Sequence, residues 1–280
     1  MRVMRREWTD TSRSDVFRLY PLFDVHLGSV ACDEVHFRRV VAEIEADDNA
    51  LWIGGGDYAE FITSKDWRFD AQTLAPWITI KDLGDLAAAQ RDRFAKIVRP
   101  IAHKCLMFLE GNHELSIRKH YERDIYRELA GDIKQAGGFD ADHQLAPGVR
   151  GWMMLKFCRV GSAACKMLRV YAHHGYGGGR LAGGKALNLQ RELWYNDADL
   201  VLLGHTHAID VQRAAVRKVR GSREIIETRF GAVCGTFMTN AHNQDTYADK
   251  AGYPPQGGGN VVIELRPGAA RADDMIKVRV

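Results

Sequence analysis

Four short apolar runs in this chain end in the same way, and that recurrence constrains the fold more than any other feature. Val16-Phe17-Arg18-Leu19-Tyr20-Pro21-Leu22-Phe23 leads into Asp24-Val25-His26. Ala50-Leu51-Trp52-Ile53 leads into Gly54-Gly55-Gly56-Asp57. Cys105-Leu106-Met107-Phe108-Leu109-Glu110 leads into Gly111-Asn112-His113-Glu114, and Asp199-Leu200-Val201-Leu202-Leu203 leads into Gly204-His205-Thr206-His207. Runs of this length read as buried strands, and glycine lets the backbone turn where a strand stops. Taken alone, the last stretch fits two readings equally: a strand end with two surface histidines, or a pair of ligands. Four junctions that each deliver a carboxylate, an amide or an imidazole are hard to explain by packing. Parallel sheets align strand C-termini on one edge, where open α/β sheets bind ligands. A fifth run, Met167 to Ala172, ends in His173-His174-Gly175 and is followed by Tyr176-Gly177-Gly178-Gly179.

Between these runs the first half reads as helix. Glu34 to Ala46 and Leu83 to Val98 place apolar residues near the helical period, the second stopped by Pro100. Leu115 to Leu129 reads as one more helix with i,i+4 charge pairs such as Arg118 with Glu122. Strand alternating with helix predicts βαβ units and a parallel sheet, an α/β fold. The second half is strand-rich: Trp152 to Val160, Ile209 to Val219, Glu224 to Phe230 and Asn260 to Leu265. Arg220-Gly221-Ser222 makes the middle pair a tight hairpin, whose arginines read most simply as a solvated face, with a DNA contact the less favoured reading. Residues 61–84 separate the second strand from its helix by far more than usual, which suits either a binding loop or a surface flap. No repeat or flexible linker is visible. The expectation is one domain over residues 1–280, with a long loop at 61–84 and a C-terminal strand tail at 260–280.

Composition excludes several classes. With 46% hydrophobic and 27% charged residues the chain is an ordinary globular one. No apolar run approaches the roughly 20 residues of a membrane span, and the basic N-terminus has no apolar segment behind it, which predicts no secretory signal. Five scattered cysteines read as reduced core thiols and predict a cytoplasmic protein. Lys and Arg total 39 against 36 Asp and Glu, a net +3 that gives no support for nucleic acid.

Asp24, Asp57, Asn112 and several histidines offer oxygen and imidazole donors without thiolate. That mix suits Mn²⁺, Fe, Zn²⁺ or Ni²⁺ rather than Ca²⁺. Seven ligands exceed one tetrahedral ion and suit two ions sharing a carboxylate. Two such ions held by two carboxylates keep a charge of about +2, enough to draw a phosphate and acidify bound water.

In order, Asp24-x-His26, Gly56-Asp57-x-x-Glu60, Gly111-Asn112-His113-Glu114, His174-Gly175 and Gly204-His205-x-His207 resemble the motifs of the calcineurin-like metallophosphoesterase superfamily. The resemblance implies a four-layer αββα fold, a central β-sandwich of mixed sheets flanked by helices. It implies one ion on Asp24, His26, Asp57 and His207, and another on Asp57, Asn112, His174 and His205. The family's ligand is the histidine before glycine, which selects His174; the other option is His173. His113 is then the group near the substrate phosphate and Glu60 the acid that orients it, unless Glu60 is a plain surface residue. Arg180 and Asn188 are candidate substrate contacts, with a surface role for Arg180 equally open. The remaining histidines, such as His36, His103, His120, His143 and His242, lack a strand-end context and read as structural or surface.

The activity implied is hydrolysis of a phosphoester by attack of a metal-bridging hydroxide, with Mn²⁺ the expected ion and a nucleotide or nucleic acid within the substrate class. Phe61-Ile62 stands where the family's protein Ser/Thr phosphatases carry Arg-Gly, which favours phosphodiesters over monoesters. The rival readings are a DNA nuclease, a phosphomonoesterase and a non-catalytic binding protein that keeps the fold. No membrane partner is expected, and the sequence leaves the oligomeric state open.

Overall fold

A computed structural model describes residues 3–162, 165–177, 181–239 and 258–280. The fold is α/β, built on two mixed sheets. The larger contains β1 (Met4–Asp10), β5 (Arg150–Arg159), β6 (Cys165–His173), β7 (Leu200–Leu203), β8 (Ile209–Arg220), β9 (Arg223–Thr236) and β10 (Gly259–Asn260), in the order β1-β5-β6-β7-β9-β10 with β8 paired to β9. The smaller has the order β12-β11-β2-β3-β4, from β2 (Phe17–Leu22), β3 (Ala50–Gly54), β4 (Cys105–Phe108), β11 (Val262–Leu265) and β12 (Ile276–Arg279). In both sheets the strands that carry the polar junctions pair in parallel: β2 with β3 and β3 with β4, β6 with β7.

Side-chain alternation along these strands builds the layers. Leu19, Leu51, Ile53, Leu155, Val170, Leu200 and Leu202 meet between the sheets. The opposite residues Tyr20, Leu22, Trp52 and Phe108 pack under α1 (Glu34–Ala46), α2 (Leu86–Val98), α3 (Asn112–Tyr121) and α4 (Ile125–Ala136). On the far side Tyr171, Val201, Leu203 and Val233 take Leu189 and Leu193 of α5 (Ala182–Tyr195). The order is therefore helices, sheet, sheet, helix. No described helix is long and apolar enough to cross a membrane.

Several details depart from the sequence reading. The expected helix Leu115–Leu129 is two helices. Glu122 adopts a left-handed φ of 54° that closes α3, and the Asp124 carboxylate caps α4 by accepting the N–H of Arg127. Arg118 accordingly pairs with Glu110 and Asp124, not with Glu122. The helix expected from Leu83 starts at Leu86, where Asp85 caps it. Strand β1 and helix α5 were not expected. The 61–84 segment is tied down at two points, where Gln90 accepts the N–H of Phe61 and the hydroxyl of Ser116 in α3 donates to Asp66. Not all cysteines are thiols, because Cys158 and Cys165 lie opposite each other in the β5–β6 ladder and form a disulfide.

Candidate metal centre

The junctions converge because the chain continues its parallel pairing past the strand ends. The N–H groups of Asp24, His26 and Leu27 donate to the carbonyls of Gly56, Asp57 and Tyr58. The N–H of Leu109 donates to Gly54, and that of Gly204 to His174. Each of these bonds ties one junction to the next. At the edge the backbone bends sharply: Asp24, His26, Asp57, His205 and His207 have φ values of 52°, 50°, 54°, 66° and 51°. Non-glycine residues adopt this region at a cost, and such strain gathers at functional sites. Two glycines are needed for the close approach. A Cβ on Gly56 (φ 90°) would lie 2.6 Å from the backbone nitrogen of Gly111, and one on Gly204 would lie 2.7 Å from Asp24 Oδ2.

The expected ligands fall into two groups. Asp24, His26 and His207 offer donor atoms within 4.8 Å of one another, and so do Asp57, His174 and His205. Asn112 joins the second group, its Oδ1 3.0 Å from His174 Nε2. Asp57 stands between the groups: Oδ1 accepts the N–H of His113 (2.9 Å), while Oδ2 lies 3.4 Å from His174 Nε2 and 3.8 Å from His26 Nε2. His174 Nδ1–H donates to the Gly55 carbonyl (2.8 Å), which aims Nε2 at Asn112 and Asp57. His173 is engaged elsewhere, its Nδ1 accepting the N–H of Gly175.

A divalent ion fits this donor set. Asp24 Oδ2 accepts the N–H of His205 (2.7 Å), but Oδ1 is buried without a hydrogen-bond partner and faces His207 Nε2 at 3.5 Å. His26 Nε2 and His207 Nε2 face each other at 3.1 Å. Two imidazole nitrogens at that distance need a proton or a cation between them. Asp24 and Asp57 are both essentially buried. Burial pushes their carboxyls up, yet His207 for Asp24 and His174 for Asp57 outweigh it and hold both below the usual carboxylate range. Burial pushes His174 down, but Asp57 and Asp24 reverse this and raise it to about 10. Burial keeps His26 and His205 below the ordinary histidine value. The pocket is therefore one that demands positive charge.

Glu60 does not orient His113 through its carboxylate. That carboxylate accepts Nδ1–H of His26 (3.1 Å), and the Glu60 backbone carbonyl accepts Nδ1–H of His113. The same residue thus fixes a ligand by its side chain and the acid candidate by its main chain. Asn188 donates to the Tyr176 carbonyl (3.3 Å) and, among the described residues, bonds neither group. Arg180 and His242 lie outside the described residues.

Two further residues serve the centre without having been singled out. Glu114 accepts the N–H groups of Gly111, Asp57 and Tyr58 (2.8, 3.0 and 2.9 Å), locking two junctions together. Burial, then the Asp57 charge, pushes its carboxyl up to about 7. Lys185 of α5 donates to the carbonyl of Thr206, between His205 and His207 (2.8 Å). A glutamate three residues after the N-cap Gly111 is a visible capping-box signal for Glu114; Lys185 carries no sequence signal.

No protein-family model matches the chain, and no curated protein matches it. Among solved structures the chain is similar to Vps29 of Entamoeba histolytica complexed with Zn²⁺. The identity is 13% over 95% of this chain and 97% of that one, with a TM-score of 0.37. A double mutant of the same protein gives 12% over the same shares and 0.36. At these TM-scores the likeness carries no argument about the site, which rests on the geometry above.

Proposed function

We propose that this chain is a metal-dependent phosphodiesterase with two divalent ions, one in each group. The observation that carries the reading is Asp57, with one oxygen tied to the α3 backbone and the other lying between imidazoles of separate groups. Asp24, His26, His207 and Asp57 would hold one ion; Asp57, Asn112, His174 and His205 the other. When bound, such a pair supplies the charge that gathers a phosphate and acidifies water at neutral pH. Mn²⁺ is the expected ion for this oxygen and imidazole set.

The chain's own residues do the rest. Glu60 and the Gly55 carbonyl hold His26 and His174 in the tautomers that present Nε2. His113 has Nδ1 occupied by the Glu60 carbonyl, so Nε2–H is the proton it can give to a leaving oxygen. Phe61 and Ile62 are buried, so no guanidinium stands at that position to receive a terminal phosphate dianion. This supports diesters over monoesters. A cytoplasmic setting remains part of the reading, although Cys158 and Cys165 no longer argue for it.

Hydrolysis of bis- and mono-(p-nitrophenyl) phosphate with added Mn²⁺, beside metal analysis of the purified protein, tests this. Faster turnover of the diester and two metals per chain are expected. Faster turnover of the monoester would overturn the diester preference. Less than one metal per chain with neither compound cleaved would overturn the enzyme reading.

A further inference from the structure

The net charge of +3 hides a local concentration. Residues 213–229 carry six Lys and Arg against two Glu. They form the outer part of the β8–β9 ribbon. β7 pairs only with Phe230–Val233 of β9, so from Arg223 to Arg229 that strand has β8 alone beside it among the described residues. Three of the six cations are used internally. Arg213 bonds Asp273, Lys218 bonds Asp197, and the buried Arg229 also bonds Asp197. Arg217, Arg220 and Arg223 are exposed and make no ion pair among the described residues. Arg220 and Arg223 even lie directly opposite each other across the Gly221-Ser222 turn. Like charges in that position destabilise a ladder, so the fold gains nothing from them.

We propose that this ribbon tip anchors the phosphate backbone of duplex DNA at a distance from the metal centre. A two-stranded ribbon fits the major groove. The register puts Arg217 on one face of the ribbon and the Arg220–Arg223 pair on the other, so both walls of a groove meet a guanidinium. Residues 217–226 contain no aromatic side chain, which removes the stacking platform that single strands use. The spacing fits as well. β8 starts two residues after His207 and ends at Arg220. At about 3.4 Å per residue its tip stands roughly 35 Å from its start, close to one helical turn of DNA, about 10 base pairs. The inference rests on the diesterase reading for its purpose and identifies the diester as part of a long polyanion.

The competing role for these arginines is to keep the open β8 edge from pairing with another chain. The full chain carrying R217E, R220E and R223E together separates the two, because it keeps the edge charged while reversing the sign. Fluorescence anisotropy without added divalent ions, on duplexes of roughly 6, 12 and 24 base pairs across a salt series, reads binding. The wild type is expected to gain affinity between the two shorter duplexes. The triple variant is expected to bind the longest on the order of 10²-fold more weakly at 0.1 M salt, with a salt slope shallower by about 3. Its turnover of bis-(p-nitrophenyl) phosphate should match the wild type. Unchanged duplex affinity and salt slope in the variant would overturn the anchor. So would a loss confined to anionic lipid vesicles, which would mark a membrane surface. If the wild type bound duplex through these arginines but cleaved no diester, the metal-centre reading would fail and the anchor would stand.

Discussion

Asp57 takes the amide of His113 on one carboxylate oxygen and faces His26 and His174 with the other. Replacing it by Ala removes the carboxylate that, among the described residues, stands between the two groups. Asp57→Ala should therefore lose both ions, whereas His207→Ala should keep the one near His174; metal analysis of the two variants checks this, and equal losses would contradict the shared role. His113 bonds the same carboxylate by its backbone and its ring only packs edge-on against that of His26 (centroids 4.6 Å), so its side chain can be removed without breaking a hydrogen bond to a ligand. His113→Ala should keep its metal and lose on the order of 10²–10⁴-fold in diester turnover, and metal loss in that variant would make His113 a ligand instead. The ligands themselves were legible because each follows its own strand by one to four residues, a local pattern. The partners of Glu60 were not. Which of its two groups meets His26 and which meets His113 is decided by the left-handed turns at Asp57 and Phe61, and a residue type does not announce its φ.

Elements with one dominant period were legible, and those stabilised by distant groups were not. α1 shows Phe37, Val40, Val41 and Ile44 on one face. α5 opens on Gly183-Gly184 and buries only Leu189 and Leu193, too thin a stripe to read. Its end is held from outside: Arg229 on β9 donates to the carbonyls of Leu193 and Asn196 and pairs with Asp197. Arg229→Met should leave these carbonyls without a donor and cost about 2 kcal/mol, read as a lower denaturation midpoint with an unchanged m-value. Because Lys185 links α5 to the carbonyl between His205 and His207, the same variant should also weaken metal binding. A stability loss without any metal effect would mean that α5 does not support the centre. The break between α3 and α4 escaped for a related reason. Helical spacing runs through Glu122, and the stop comes from its left-handed turn and the Asp124 cap.

At the scale of the molecule, two sheets bring two aspartates and four imidazoles together at one edge, and the electrostatics of that cluster set its response to pH. His26 and His205 lie below the ordinary value and are neutral at pH 7. His174 is the exception: burial opposes its charge, but Asp57 and Asp24 raise it to about 10. Its contribution to the metal-free fold is complete below its ordinary value of 6.5 and fades as pH climbs through about 10. An ion entering beside Asp57 must displace that proton. Between pH 6.5 and 8.5 His174 remains charged without metal, so one proton leaves per ion bound there, and apparent Mn²⁺ affinity should rise about tenfold per pH unit. The stabilisation by a fixed Mn²⁺ concentration should grow with pH over the same window while the metal-free protein gains nothing. Calorimetric titration at three pH values, in buffers of different ionisation enthalpy, counts the proton directly. A pH-independent affinity with no proton released would mean that His174 is not displaced from its pairing with Asp57, and the second group would lose its claim to an ion.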